Sequence, residues 1–181
     1  DSPDLKVTAQ DGTTFQNALA AAPAAASRDG VLMLSQGSVN ETWTKKYLSL
    51  TKAQVVAVGD AAVAAIGTNV ADKIPGSNVY QVAADVTKRY FNAEAMNSPL
   101  NDNYRPVAVV SGESFADAVL AASFIADNDG GILLTQKTDL TAPTTDYLRF
   151  IATKDTPVRL VGGPIWLDES LLTKVNDALK W

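Results

Sequence analysis

Shifted by 100 residues, the chain lies on itself without a gap. Val7 falls on Val107, Gly12 on Gly112, Phe15 on Phe115, Ala18 on Ala118, Asp29-Gly30 on Asp129-Gly130, Leu34 on Leu134 and Gln36 on Gln136. Between 7 and 36, 11 of 30 positions are identical and only four of those are alanine, so two alanine-rich stretches do not explain the match. Tyr47-Leu48 continues onto Tyr147-Leu148 in the same register, and Val55–Gly59 meets Val158–Gly162 after a three-residue shift. Self-similarity at a fixed offset predicts repeated structural units. For these 181 residues it predicts a first repeat over 1–96, a linker over 97–105 and a second repeat over 106–181.

Within each repeat, apolar runs alternate with helical patterns. In the second, Val107–Val110 is short and continuously apolar, as a strand covered on both faces is. A turn at Ser111–Glu113 then leads to Ser114 as helix cap and a helix from Phe115 to Asp127. Gly130-Gly131 is expected to stop that helix by accepting left-handed geometry. Strands follow at 132–135 and 157–161. Between them Thr141 would cap a helix running to Ala152 with Pro143 in its first turn, and a last helix spans 168–179 with Leu171, Leu172, Val175 and Leu179 on one face. The first repeat reads likewise: strands near Val7, at 31–34 and 55–58, and helices over 14–28, 41–50 and 61–73. A further strand at Val79–Val82 and a helix over 84–93 complete it. Alternating β and α elements predict an α/β fold, two tandem small domains each with a mainly parallel sheet flanked by helices.

Two absences narrow the chemistry. Without histidine there is no Ser-His-Asp triad, no imidazole acid–base chemistry and no His-ligated zinc. Without cysteine there are no disulfides, thiolate nucleophiles or Fe–S clusters. The net charge of -5, with basic residues no denser than Lys45-Lys46 and Lys88-Arg89, argues against nucleic acid as a partner. No apolar run reaches the roughly 18 residues of a membrane span. An opening Asp-Ser-Pro without Met suggests a processed or trimmed product.

Gly112-Glu113-Ser114-Phe115-Ala116 approaches the nucleophile elbow G-x-S-x-G between a strand and a helix. Ser114 as nucleophile lacks a histidine base, and the matched residue of the first repeat is Thr14, so a helix cap is the expected role. Glu113 and Asp117 are close enough in sequence for a glycosidase-like carboxylate pair, but Asn17 stands opposite Asp117 in the first repeat, which favours surface or capping roles. Asp127, Asn128 and Asp129 lack EF-hand spacing, and G-x-G-x-x-G does not occur, so no metal and no cofactor are expected. Gly162-Gly163 could bring backbone N–H groups to an anion, although a tight turn is the simpler role. Trp43, Trp166 and Trp181 could stack on sugars but have no tryptophan counterparts in the other repeat, so core packing or chance exposure is the expected role of each.

Taken together, the motifs resemble the cell-wall-binding repeat type 2 family of Gram-positive surface proteins. Its G-x-x-F-x-D-A-L segment is similar to 112–120 and to 12–19; its I-L-L-T strand to Ile132–Thr135 and Leu32–Ser35; its V-G-G turn to Val161–Gly163 and Val58–Asp60. The resemblance implies a secreted, non-catalytic module at the cell wall or cell surface, anchored non-covalently to a secondary cell-wall polysaccharide or other anionic wall polymer. Ligands in α/β sheets bind at the carboxyl ends of strands. That places Ser111, Glu113, Ser114, Thr135, Gln136, Lys137, Gly162 and Gly163 as the candidate polymer-binding residues. The family often packs three copies about a pseudo-threefold axis, so two copies imply a third repeat or a homo-oligomer. Its segment between copies is degraded here to Val79–Ala84 and Lys88–Asn92. The alternatives from other classes are an adhesive or structural surface module binding a protein, and a hydrolase using Ser114 or Glu113 with Asp117.

Overall fold

The computed structural model describes the backbone of 6–10 and residues 15–35, 38–39, 42–67, 72–91, 105–152 and 156–180. Its elements run β1 (Lys6–Gln10), α1 (Gln16–Ala26), β2 (Leu32–Ser35), α2 (Thr42–Leu50), β3 (Val55–Val58), α3 (Asp60–Ile66), β4 (Asp72–Ile74) and α4 (Val79–Phe91). There follow β5 (Val107–Ser111), α5 (Phe115–Ala126), β6 (Gly131–Thr135), α6 (Ala142–Ile151), β7 (Val158–Val161) and α7 (Ser170–Leu179). The fold is α/β. A four-stranded sheet has the order β2-β1-β3-β4 and a three-stranded sheet the order β6-β5-β7, with every described pairing parallel. In each sheet the strand order reverses beside the first strand. Residues of β3, β5 and β6 are buried along their whole length, which explains why these strands read as continuous apolar runs rather than alternating ones.

The stretch after β3 departs from expectation. Helix α3 ends at Ile66, and the segment expected to continue it to 73 forms the edge strand β4. Asp72-Lys73 is too polar to look like a strand, and its register against Val56-Ala57 comes from the sheet rather than from its own propensity. The expected strand at 79–82 is instead the start of α4. Asn78 Oδ1 accepts the N–H groups of Tyr80 and Gln81 at 3.0 and 3.4 Å and so caps that helix. Val79, Val82, Ala83, Val86 and Tyr90 then follow helical spacing over twelve residues, a period that four residues alone cannot reveal.

Helix α4 serves both sheets. Val82, Val86, Tyr90 and Phe91 pack with Val56, Val58 and Ile74 of the first sheet. Ala83 lies with Ala108, Ile132 and Leu134, and Ala84 with Val107, Leu133 and Leu148 on the second. Thr87, fully buried, donates its hydroxyl to the Ile132 carbonyl at 2.7 Å and so ties the helix to β6. Alanine at the contact points lets α1, α4 and α5 approach closely, which is where the chain's alanine content is used.

Both α1 and α5 end in the same turn. Asp29 and Asp129 adopt φ of 51° and 52°, and the N–H of the next glycine closes on the carbonyl of Ala25 or Ile125 at 2.8 or 2.9 Å. The left-handed residue is therefore aspartate, not Gly130. Gly130 is required for space: a β-carbon there would collide with the Pro106 carbonyl. Two smaller expectations also change. Thr141 reaches the Thr144 hydroxyl and the Leu134 carbonyl at 3.0 and 3.4 Å rather than capping a backbone N–H, and Leu172 of α7 points to solvent while Leu171, Val175 and Ala178 are buried.

Candidate functional site

The loops at the carboxyl ends of β5 and β6 hold one another in place. Ser111 is fully buried, and its hydroxyl accepts the Glu113 N–H at 3.1 Å. Gly112 donates its N–H to the Thr135 carbonyl at 2.9 Å, joining the two strand exits. Ser114 is buried and caps α5, accepting the Asp117 N–H at 3.3 Å. Thr135 is also fully buried; its hydroxyl donates to the Asp139 carbonyl at 2.7 Å, and Gln136 N–H reaches the same oxygen at 3.2 Å. Lys174 closes the loop from outside, donating to the Thr138 carbonyl at 2.7 Å and pairing with Asp139. Asp168 donates its N–H to the Lys137 carbonyl at 2.8 Å. Hydrogen bonds from Ser170, with the fields of Lys137 and Lys174, hold the Asp168 carboxyl below its usual range. The loop thus presents Gln136 and Lys137 to solvent on a braced backbone, while Ser111, Ser114 and Thr135 do the bracing.

A cleft of about 160 Å³ opens beside this region, between the start of α1 and the start of α5. It brings Ser111, Glu113 and Ser114 together with Phe15, Gln16 and Leu19, which sequence reasoning did not place in the site. The Phe15 and Phe115 rings meet edge to face, with centroids 5.5 Å apart. Gln16 donates its amide N–H to the Gly112 carbonyl at 2.9 Å, and its Oε1 is buried without a partner. Tyr80 of α4 stands against the turn at Gly112: its Cε1 would lie 3.0 Å from a β-carbon there. Burial, and secondarily Glu113, raises the Tyr80 phenol above its ordinary value of 10.0. The 100-residue match of Phe15 to Phe115 was the available signal for this cleft. Alignment alone does not say that matched residues touch.

Gly162 and Gly163 lie apart from that cleft. Gly162 has φ of 147°, and a β-carbon there would stand 2.8 Å from Leu167 Cδ1 and 3.2 Å from Asp117 Oδ2. The first sheet repeats the arrangement, with Asn17 Nδ2 2.5 Å from the β-carbon position of Gly59, whose φ is 87°. Side chains 17 and 117 therefore fill the crevice where the strand order reverses, the place where doubly wound folds usually receive ligands. Gly163 accepts the N–H groups of Trp166 and Leu167, both at 3.0 Å, in a tight turn into α7.

The order of elements, the braced I-L-L-T strand exit and the glycine turn after the third strand form one linked arrangement. The sequence profile of the cell wall binding domain 2 (CWB2) family matches residues 73–171, more than half of the chain. The chain is a CWB2 protein. In solved structures its fold is similar to Cwp8 from Clostridium difficile, with a TM-score of 0.72 and 15% identity over 99% of this chain and 30% of Cwp8. It is similar also to Cwp6 from Clostridium difficile, with a TM-score of 0.76 and 17% identity over 97% of this chain and 28% of Cwp6. The CWB2 chain spans less than a third of the length of either protein. At such identities the likeness is one of fold. No curated protein sequence matches the chain. Among the described residues no helix is long and apolar enough to cross a membrane.

Proposed function

We propose that this CWB2 chain is a non-catalytic module that anchors a secreted surface protein, non-covalently, to an anionic cell-wall polymer. The observation that carries the proposal is family membership across the second sheet and its strand-end loops. Geometry supports contact through Gln136 and Lys137, with Glu113, Gly162 and Gly163 on neighbouring turns and Ser111, Ser114 and Thr135 holding the loops in shape. A non-catalytic role fits the Ser114 hydroxyl, which is buried as a helix cap in a chain without histidine. The chain's negative charge sets a condition, because attraction to a polyanion has to be local. Retention on isolated cell walls, measured before and after extraction of their anionic polymer, tests the proposal. Binding should be strong before and lost after; no retention on intact walls would end it.

The assembly is further proposed to be completed by another unit of the same fold, from a third repeat or a second copy. Leu19, Ala20 and Ala24 of α1 are buried, whereas their 100-residue counterparts Val119, Leu120 and Phe124 of α5 are 40%, 67% and 47% exposed. Leu134 is fully buried, whereas Leu34 is 46% exposed. The α1-to-α5 contact is head-to-tail and leaves one unmatched surface on each side, the signature of a heterologous interface that has not closed. Sedimentation velocity across a concentration series distinguishes the two sources: self-association that is lost in Leu120→Glu supports a second copy, and a strict monomer supports a third repeat.

A further inference from the structure

The cationic side of α2 has no role in the strand-end site. Its nine residues carry Lys45 and Lys46 and no carboxylate, while α3, α4, α5, α6 and α7 each include an aspartate and α1 has no charge at all. In a chain of net charge -5 this helix is a local reversal of sign. Trp43, Lys46 and Leu50 recur at three- and four-residue spacing and so form one stripe along it. Trp43 is 76% exposed and Leu50 74%, and Lys46 Nζ lies 5.4 Å from the Trp43 ring centroid. The helix is fixed from behind by buried Thr44, whose hydroxyl donates to the Leu34 carbonyl at 3.3 Å. An indole held on a fixed helix loses little freedom when a flat apolar face settles on it. Single exposed apolar residues are ordinary, but an aromatic and an aliphatic residue in line with one lysine and beside a second, on a helix whose own residues include no carboxylate, are not neutral surface.

We propose that α2 is a second carbohydrate-binding surface, on which Trp43 stacks against the C–H face of a pyranose while Lys45 and Lys46 take an anionic substituent of the same glycan. Charge complementarity selects the occupant: a neutral sugar leaves the lysines unused, and a bare polyanion leaves the indole unused. The proposal rests on the wall-anchoring reading only for where such a glycan comes from in nature.

The test uses the whole chain and defined probes. Calorimetric titration is made with dextran sulfate, unsubstituted dextran, inorganic polyphosphate and vesicles of anionic phospholipid. Wild-type protein binds dextran sulfate more tightly than either dextran or polyphosphate. Trp43→Ala weakens dextran sulfate binding by about tenfold, the order expected for losing one aromatic stacking contact, and Trp43→Phe restores much of it. Lys45→Gln with Lys46→Gln weakens it comparably and flattens its salt dependence, while Trp166→Phe changes nothing. Far-UV circular dichroism confirms that the variants remain folded. The proposal is overturned by a Trp43→Ala protein that binds dextran sulfate like wild type, by polyphosphate binding that falls equally with the tryptophan, or by a preference for the vesicles. Isolated walls separate the two readings. If wild type is retained and Trp43→Ala equally so, the α2 proposal fails and anchoring stands. If wild type is not retained, anchoring fails and the dextran sulfate series alone decides α2.

Discussion

Replacing Thr87 by valine removes one hydroxyl from the contact between α4 and β6 and keeps the side chain's shape. The Thr87 hydroxyl donates at 2.7 Å to the Ile132 carbonyl, both groups being fully buried. Valine leaves that carbonyl without its donor, at a cost of about 1–3 kcal/mol. The substituted methyl recovers about 0.8 kcal/mol of transfer energy. It must also stand further from the oxygen than 2.7 Å, since C–H···O contacts run about 3.3–3.6 Å, so the helix is pushed outward and part of that recovery is lost. The net expectation is a loss of about 2 kcal/mol. Thr87→Ser keeps the hydrogen bond and gives up one methyl group, for about 1 kcal/mol. For a chain of this length each kcal/mol lowers Tm by about 2–4 °C, so valine should lower it by about 4–8 °C and serine by about half as much. Differential scanning calorimetry decides the order, and because α4 belongs to both cores each protein should melt in one transition. A valine variant as stable as the serine variant would refute the assignment of this hydrogen bond as the tie between α4 and β6. Two separated transitions would refute the shared core.

Other expectations concern backbone space, charge and pH. Gly130→Ala places a β-carbon against the Pro106 carbonyl and should lower the urea midpoint by the equivalent of about 1–3 kcal/mol, whereas Gly163→Ala, with open space at its β-carbon, should leave it unchanged. Asp129→Asn tolerates the left-handed turn but breaks the 2.6 Å pair with Arg105. Its cost should be at most about 1 kcal/mol and should shrink in high salt, as chemical denaturation at two ionic strengths will show. Burial pushes the phenols of Tyr90 and Tyr147 up to about 12 from 10.0. The folded state thus favours their neutral forms, so their contribution to stability is whole below pH 10 and is lost as pH rises from there through about 12. Absorbance at 295 nm should show these two tyrosines ionising last and together with unfolding.

The strands and helices of the second sheet were legible because their apolar runs are long and their boundaries carry Gly, Pro or a capping hydroxyl. Ser114 was recognisable as a cap from its place before an apolar helix, and it acts as one. Residues 61–91 were harder, for a physical reason. β4 is an edge strand whose Asp72-Lys73 has no apolar face, and α4 begins with Val79-Tyr80-Gln81-Val82, whose β-branched and aromatic residues favour a strand until Ala83 and Val86 extend the helical period. The candidate site was legible as a set of loops and not as a surface. That Ser111 and Thr135 would be occupied by Glu113 and Asp139 depends on the path of two loops, and the meeting of Phe15 with Phe115 depends on how α1 and α5 cross. Neither follows from local composition.

The placement of β5 has a mechanical consequence. It is the central strand of its sheet, paired in parallel with β6 on one side and β7 on the other. Tension drawn along β5 loads both ladders in shear, so rows of hydrogen bonds must fail together rather than peel one after another. The strand is preceded by α4, whose alanines and Thr87 are embedded against β6, and a pull between these two elements is resisted by the interior of the second sheet itself.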